Sequence, residues 1–329
     1  MQSHPLLHFQ RAFRLIDTAL NDKERMFIMK CYVCIDIGGT NIKYGLANEQ
    51  GTLLERGERP TLAQEEGAAG IVSKVIDIAG NYGKTHNPEG IAIATAGIVN
   101  AKDGSIAFAG EKSFPGYTGT KLRSLVEDAL GIPCAVENDV NSAGLGEYWL
   151  GAGRNASSIF MMAVGTGIGG CLLLDGKVFH GAGGSAGEIG FMRFPGQDVI
   201  FEEIASTRAL VERTAAACSM NPAELTGEKV FQMASDGNLE AISAVEVMAE
   251  NLGDGIAQIC CLLNPDVILL GGAVMKQEAV LGPLIKKHIE AHVLPAMRMG
   301  TRIAFAKLGN DAGMLGALYF LLESIKAKA

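Results

Sequence analysis

The chain has 329 residues, of which 48% are hydrophobic and 19% are charged, a balance that excludes an intrinsically disordered chain. Its 28 basic and 36 acidic side chains give a formal net charge of −8, and no basic patch offsets it, so we expect no nucleic-acid partner. No apolar run is long enough to span a membrane, and no membrane partner is expected.

The first 29 residues are interpreted as an N-terminal extension. They are compatible with a helix, but they contain scattered charges and lack the apolar core of a signal peptide. An optional extension ahead of a translation start at Met26 or Met29 is favoured over an ordered functional helix.

The seven cysteines lie mostly in apolar segments, which is typical of reduced, buried thiols in a cytoplasmic protein. Cys31 and Cys34 form a C-x-x-C sequence, but they lie in a strand-like run. Residues three apart in a strand face opposite sides, so a redox pair is not favoured.

From Cys31 onwards, strand and helix patterns alternate. In the first half, the predicted strands are Cys31–Ile37, Ile42–Asn48, Thr52–Glu58, Gly90–Thr95 and Ile132–Val136, and the predicted helices are Glu66–Asn81 and Gly119–Leu130. In the second half, the predicted strands are Ser158–Val164, Gly169–Leu174, Asp266–Leu270 and Arg302–Ala306, and the predicted helices are Ile204–Ser219, Glu228–Ser235, Leu239–Leu263, Gln277–Ala291 and Gly313–Lys328. Each half opens with a strand, a Gly/Thr turn and a returning strand, so the pattern predicts an α/β fold with two similar lobes.

The two Gly/Thr turns suit the binding of a polyphosphate. The first has a carboxylate at the end of a strand, then glycines that let backbone N–H groups approach an anion, a hydroxyl and a cation; the spacing is not that of a P-loop. The residues concerned are Asp36, Gly38, Gly39, Thr40 and Lys43 in the first turn and Gly165, Thr166 and Gly167 in the second. Either turn alone could be a plain hairpin, but two in matching places predict a clamp around one polyphosphate.

Three further segments carry candidate site residues. Asn138 and Asp139 stand where a strand ends and a helix begins, so Asp139 is either an N-cap or a carboxylate that accepts a proton from a substrate hydroxyl. Glu188 lies in a glycine-rich loop and Glu202 opens a helix; carboxylates in such places suit the paired hydroxyls of a polyol. Gly271-Gly272 ends a strand and allows close approach of a base or ribose, or forms an ordinary turn.

From about Tyr32 to the last helix, the chain resembles the ROK family (repressors, open reading frames and sugar kinases). Five segments occur in the family's order and spacing: Asp36–Lys43, Val136–Glu147, Ala163–Gly170, Gly183–Gly190 and Leu263–Gly272. The resemblance implies an α/β, two-lobed actin-like ATPase (ribonuclease H-like) fold with duplicated lobes and an interlobe cleft. The expected parts are a small lobe over 30–138, completed by the C-terminal helix 312–329, and a large lobe over 139–311.

The resemblance also implies an activity and a role for each site residue. The expected reaction is ATP-dependent phosphorylation of the primary hydroxyl of a hexose or hexose derivative, with Asp139 as the general base. Residues expected beside the sugar are Gly97, Asn138, Glu188 and Glu202. Residues expected to bind ATP are Gly38, Gly39, Thr40, Lys43, Gly165, Thr166, Gly167, Gly271 and Gly272, with Mg²⁺ near Asp36. A homodimer is also expected.

The chain departs from the family at one place. Kinases of the family commonly continue Gly-Glu-Ile-Gly with His and a Cys-rich zinc-binding segment, whereas here Phe191 follows and Met192–Phe201 contains neither Cys nor His. No structural zinc is therefore expected. An apolar cluster of Phe191, Met192, Phe194 and Ile200 is expected to order the loop in its place.

Two rival functions and several sugars stay open. A sugar-sensing repressor of the same family would carry a helix-turn-helix domain, for which about 30 residues before Cys31 are too few. A non-catalytic sugar-binding protein would not need Asp36, Lys43 and Asp139 together. Glucose, fructose, N-acylated hexosamines and β-glucosides all fit. Phe191 in place of an imidazole predicts a reduced preference for plain glucose, and a β-glucoside or modified hexose stays open.

Overall fold

The computed structural model describes residues 30–194, 196 and 198–327. The predicted N-terminal extension and the predicted end of the last helix at Lys328 lie outside the described residues. None of the helices in the described ranges is both long and apolar enough to cross a membrane.

The first sheet is built on a strand that is apolar along nearly its whole length. Its strands, in chain order, are β1 (Cys31–Ile37), β2 (Asn41–Asn48), β3 (Leu53–Pro60), β4 (Ile91–Thr95) and β7 (Cys134–Asn138), and their order across the sheet is β3-β2-β1-β4-β7. The first three are antiparallel, and β4 and β7 run parallel to β1. Because both faces of β1 and β4 are covered, these strands are continuous hydrophobic runs rather than alternating ones.

The second sheet repeats this topology. Its strands are β8 (Ser158–Val164), β9 (Ile168–Leu174), β10 (Lys177–Val178), β11 (Val267–Gly271) and β12 (Arg302–Phe305), in the order β10-β9-β8-β11-β12. The pair β8–β9 is antiparallel, like β1–β2, and β11 and β12 run parallel to β8. The matching orders confirm the predicted duplication and the two-lobed actin-like fold.

Helices connect and cover the two sheets. Those of the first half are α1 (Ala63–His86), α2 (Leu122–Leu130) and α3 (Asp139–Leu150). Those of the second half are α4 (Phe201–Ala205), α5 (Thr207–Ala217), α6 (Gly227–Ser235), α7 (Leu239–Leu263), α8 (Glu278–His292), α9 (Pro295–Arg298) and α10 (Ala312–Lys326). A small antiparallel hairpin of β5 (Ile98–Asn100) and β6 (Ser105–Phe108) extends from β4.

The two halves meet where α3 crosses α10. Leu145 on α3 is buried with residues of the second sheet, whereas Leu318 on α10 is buried with residues of the first. The helices touch backbone to backbone: a Cβ on Gly316 would overlap the Ser142 carbonyl. Glycine is required at this crossing because a side chain would separate the helices and widen the cleft between the sheets.

Several predicted elements differ in detail from the observed ones. The helix predicted over Ile204–Ser219 is two helices, because the Ser206 hydroxyl accepts a hydrogen bond from the Ala209 N–H and begins a new helix. The helix predicted over Glu66–Asn81 extends to Ala63–His86, with a kink at Gly67. The hairpin formed by β5 and β6 was not predicted, because each strand has only three or four residues.

Candidate active site

The junction of β7 and α3 fixes Asp139. The Asn138 side chain, not Asp139, caps the helix: its Oδ1 accepts hydrogen bonds from the Val140 and Asn141 N–H groups, at 2.9 and 3.0 Å. Its Nδ2 donates to the Gly97 carbonyl at 3.0 Å and to Asp139 Oδ1 at 2.9 Å. Asp139 Oδ1 also accepts from the Val140 N–H, at 3.0 Å. Oδ2 has no hydrogen-bond donor among the described residues and is free to accept a proton.

Two cavities meet at Asp139. The Asp36 cavity, of about 430 Å³, lies beside β1, the end of β11 and the start of α10. The Glu188 cavity, of about 520 Å³, lies beside the β8–β9 turn and the loop before α4. Asp139, Val140 and Ala163 line both. A group on Asp139 can therefore act on molecules bound in either space.

The Asp36 cavity combines two carboxylates, those of Asp36 and Asp139, with several lysines. Asp36 lies opposite Lys43 in the antiparallel register of β1 and β2. Burial raises the pKa of Asp36 to about 6, although the charge of Lys43 lowers it. Lys276 and Lys307, which sequence reasoning missed, also line the cavity. These lysines make the cavity suitable for a polyanion.

The predicted glycine turns lie around the two cavities. Predicted residues on the wall of the Asp36 cavity are Gly38, Gly271 and Gly272, and those on the wall of the Glu188 cavity are Gly97, Gly165, Thr166 and Gly167. Gly39 and Thr40 form the exposed tip of the first turn, outside both walls. Gly272 has a φ of 110°, and a Cβ there would overlap the Val164 carbonyl, so glycine lets the end of β11 meet the second turn.

The Glu188 cavity contains the other predicted carboxylates. Glu202 Oε2 accepts a hydrogen bond from the Ile168 N–H at 3.3 Å, and its Oε1 lies 3.5 Å from the Arg208 guanidinium. The Glu188 carboxylate accepts no hydrogen bond from the part of the chain that the structure describes. Burial, followed by the charges of Asp139 and Glu202, raises the pKa of Glu188. Its oxygens are free for hydroxyl donors.

Among these carboxylates, Asp139 has the pKa that is shifted furthest from its ordinary value. Burial, followed by the charge of Asp36, raises its pKa to about 7, and its hydrogen bonds from Val140 and Asn138 offset only part of that rise. A carboxylate with this pKa is a stronger base than an ordinary aspartate, and at neutral pH a substantial fraction of it is ionised.

A buried carboxylate behind Asn138 was missed by sequence reasoning. Glu137 is fully buried, and its Oε1 accepts hydrogen bonds from the Asn138 N–H at 2.7 Å and from Asn141 Nδ2 at 2.9 Å. Its Oε2 lies 2.6 Å from His180 Nε2, and this hydrogen bond raises the pKa of His180. The pair ties β7 to the loop that leads to Glu188. The sequence feature that could have indicated this buried carboxylate is a glutamate inside an otherwise apolar strand.

A second buried carboxylate links α3 to the Asp36 cavity. Glu147 is fully buried, and its Oε1 accepts hydrogen bonds from the Lys307 and Leu308 N–H groups, both at 2.7 Å. Its Oε2 accepts from the Ala152 N–H at 2.7 Å. The helix that begins at Asp139 therefore also holds the segment in which Lys307 lies.

The structure of the loop after Glu188 shows that one part of the predicted apolar cluster was wrong. Met192 and Phe194 pack against the core of the second sheet, and the Phe194 and Phe201 rings lie 5.3 Å apart. Phe191 was expected in this apolar cluster, but it is 64% exposed and lines the Glu188 cavity. It lies in a single 3₁₀ turn, Ile189–Phe191, that buries Ile189 and turns Phe191 outwards.

Comparison with known proteins identifies the family of the chain. The family model described as "ROK family" matches residues 32–324, and the chain belongs to this family. It is 43% identical to an uncharacterized protein of Clostridium perfringens, over 90% of this chain and 99% of that one. It is 33% identical to a glucokinase of Halalkalibacterium halodurans, over 87% and 93%. A ROK family glucokinase of Streptomyces griseus, solved with glucose and AMPPNP, aligns with a TM-score of 0.77 and 29% identity, over 89% and 99%.

Proposed function

We propose that the protein is an ATP-dependent sugar kinase that phosphorylates the primary hydroxyl of a hexose or hexose derivative. The observation that carries this proposal is the position of Asp139 on the shared wall of two cavities, one with lysines and one with carboxylates. Membership of a family that includes glucokinases supports it, as does the solved relative that holds glucose and AMPPNP.

In this proposal the phosphates of ATP occupy the Asp36 cavity. Lys43, Lys276 and Lys307 neutralise the phosphate charge, and Gly271-Gly272 allows close approach of the nucleotide. Asp36 suits Mg²⁺, which is commonly bound by one or two carboxylates together with phosphate oxygens, and its buried charge is only partly compensated by Lys43. When bound, Mg²⁺ would supply positive charge to the phosphate oxygens.

The sugar occupies the Glu188 cavity. Glu188 and Glu202 accept hydrogen bonds from sugar hydroxyls, and Gly97 leaves space beside the ring. Asn138 orients Asp139 through its Nδ2 hydrogen bond. Its direct contact with the sugar stays a prediction.

Asp139 completes the reaction. Its Oδ2 removes the proton from the primary hydroxyl as the hydroxyl oxygen attacks the terminal phosphorus of ATP; the bond from that phosphorus to the bridging oxygen breaks, and ADP leaves. Oδ1 stays bonded to Asn138 and Val140, which holds the carboxylate in place. Closure of the lobes over the sugar would exclude water, which otherwise competes as the acceptor.

A coupled assay of sugar-dependent ADP release tests the proposal. We expect turnover with at least one hexose or hexose derivative, and Asp139→Asn should lower kcat by about 10²–10⁴-fold while sugar binding persists. Asp128→Asn, on an exposed site of α2, is the matched control and should keep full activity. Near-normal turnover of Asp139→Asn would exclude Asp139 as the base, and no turnover with any sugar in a broad panel would exclude the kinase.

A further inference from the structure

A buried threonine holds the turn between β1 and β2. Thr61 directly follows β3 and is fully buried. Its hydroxyl donates a hydrogen bond to the Gly38 carbonyl at 2.7 Å, and its N–H donates to the Thr40 carbonyl at 2.8 Å. Thr61 therefore fixes both ends of the Gly38–Thr40 turn.

The contacts with Thr61 use carbonyl groups of this turn and leave N–H groups available. Because the C=O and N–H of a trans peptide point in opposite directions, the Gly39 N–H lies on the side of its peptide away from the Thr61 hydroxyl. Neither the Gly39 nor the Thr40 N–H has an acceptor in the part of the chain that the structure describes. Gly38 lies on the wall of the Asp36 cavity, so these donors suit an anion at the edge of that cavity.

Thr61 is in turn held by a buried lysine that the proposed reaction does not use. Lys74 lies in the middle of α1 and is only 6% exposed. Its ammonium donates to the Thr61 carbonyl at 2.9 Å and pairs with the carboxylate of Glu66 on the same helix. A buried ammonium is costly unless it is paired and hydrogen-bonded. Displacing Thr61 would remove one of these partners, so the buried charge keeps Thr61 in place.

The irregular start of α1 lets Glu66 reach Lys74. The two residues are eight positions apart, which in a straight helix is about 12 Å along the axis. Gly67 interrupts the helix with a φ of 58°, and a Cβ on Gly70 would overlap the Glu66 side chain. The two glycines therefore allow Glu66 to fold over the helix and neutralise the buried ammonium.

We propose that Thr61 and Lys74 are positioning residues for the phosphates of ATP. They hold the Gly38–Thr40 turn through its carbonyl groups, so that the N–H groups of Gly39 and Thr40 donate to phosphate oxygens. Neither side chain lies on the wall of the Asp36 or the Glu188 cavity, so both act through the turn and not on the nucleotide directly. This inference rests on the ATP site of the proposed kinase and adds the residues that shape it.

The test measures the binding of MgATP to the wild type, Thr61→Val and Thr61→Ser by calorimetric titration. Valine keeps the shape of threonine without its hydroxyl, whereas serine keeps the hydroxyl. Loss of the hydrogen bond to Gly38 should raise the Kd for MgATP about three- to tenfold in Thr61→Val, and Thr61→Ser should stay within about twofold of the wild type. With a sugar that is turned over, the KM for ATP should rise by the same factor, while the KM for the sugar stays unchanged.

Thr214→Val is the matched control. Thr214 is also fully buried, and its hydroxyl donates to the Leu210 carbonyl at 2.8 Å within α5, outside the walls of both cavities. Thr214→Val should lower Tm, as Thr61→Val does, but leave the Kd for MgATP unchanged. An equal loss of MgATP affinity in both variants would overturn the positioning role, because it would show general damage.

Lys74→Met tests the link from the buried lysine to the turn. Methionine is also unbranched and fills similar space, but it cannot donate to the Thr61 carbonyl. We expect the Kd for MgATP to rise by a similar factor, and the double variant Lys74→Met/Thr61→Val to lose less than the product of the two single effects. A full product would show that the two residues act independently and would overturn this link.

Two outcomes separate this proposal from the kinase function. Equal binding of MgATP by the wild type and Thr61→Val, together with turnover of a sugar, would exclude the positioning role and support the kinase. Binding of MgATP that depends on the Thr61 hydroxyl, without turnover of any sugar, would support the positioning role and exclude the kinase.

Discussion

Replacing Asp139 with asparagine should make the protein more stable and much less active. The pKa of Asp139 is raised to about 7 by burial and by the charge of Asp36, whereas an unfolded aspartate titrates near 3.9. Ionising this group therefore costs more in the folded protein than in the unfolded chain. Asparagine keeps an oxygen to accept the hydrogen bonds from Asn138 and Val140 but carries no charge.

The size of the gain follows from the shift. Three pKa units at about 1.4 kcal/mol each give an upper limit of about 4 kcal/mol above pH 7. Because Asp139 still contacts solvent in the cleft, we expect about 1–4 kcal/mol after screening. The folded pKa is the higher one, so the wild type loses stability as pH rises from about 4 to about 7. The advantage of Asp139→Asn should grow over that window and level off above it.

Thermal unfolding of the ligand-free protein at a series of pH values tests this. For a chain of this size, we expect Asp139→Asn to raise Tm by roughly 1–2 °C per kcal/mol above pH 7, with little difference near pH 4. Asp128→Asn, on the exposed face of α2, should show no such pH-dependent difference. A lower Tm for Asp139→Asn at pH 8, or a gain that is the same at pH 4, would refute the reasoning.

Three further predictions concern the same site. Since the general base must be ionised, kcat/KM should fall as pH drops below about 7, and a flat profile between pH 5.5 and 8 would contradict the assignment. Glu147→Gln keeps only one acceptor oxygen for the N–H groups of Lys307, Leu308 and Ala152, so at least one of these donors loses its acceptor. The loss should cost about 1–3 kcal/mol of stability and, because α3 then holds the Lys307 segment less firmly, raise the KM for ATP more than the KM for sugar. The exposed Glu246→Gln should change neither, and an equal rise in both KM values would show only general damage. Metal analysis should find zinc well below one equivalent, and EDTA should leave the Tm of the nucleotide-free protein unchanged; stoichiometric zinc or a lower Tm would show that a zinc site exists.

Continuous apolar runs explain which elements could be predicted. The bounds of Cys31–Ile37, Ser158–Val164 and Leu239–Leu263 were predicted correctly. Each is a long apolar run, and glycine, turn or capping residues mark where the run ends. The break at Ser206 was missed because a serine in the middle of an apolar pattern does not reveal whether its hydroxyl caps a helix. Local patterns therefore predict element type better than element ends.

The parts of the site that were missed depend on contacts between distant residues. Glu137 and His180 are 43 residues apart, and Glu147 and Lys307 are 160 apart, so neither hydrogen bond has a local signal. Phe191 was predicted to be buried because apolar residues surround it in sequence. The 3₁₀ turn, however, buries only one side of the chain, and Ile189 lies on that side while Phe191 is exposed. Which of two neighbouring apolar residues faces the cleft is decided by packing against α4 and the second sheet.

The carboxylates of the cleft are unfavourable for the stability of the empty protein but suited to ligand binding. Asp36, Asp139 and Glu188 each have a raised pKa, so each is costly to ionise without a ligand. Their available oxygens are the groups that a metal–nucleotide complex and sugar hydroxyls would complete. Bound ligands should therefore relieve a cost that is already present in the folded protein, and part of the binding free energy of each ligand arises from that relief. The same carboxylate that destabilises the empty protein is, in this proposal, the base that the reaction requires.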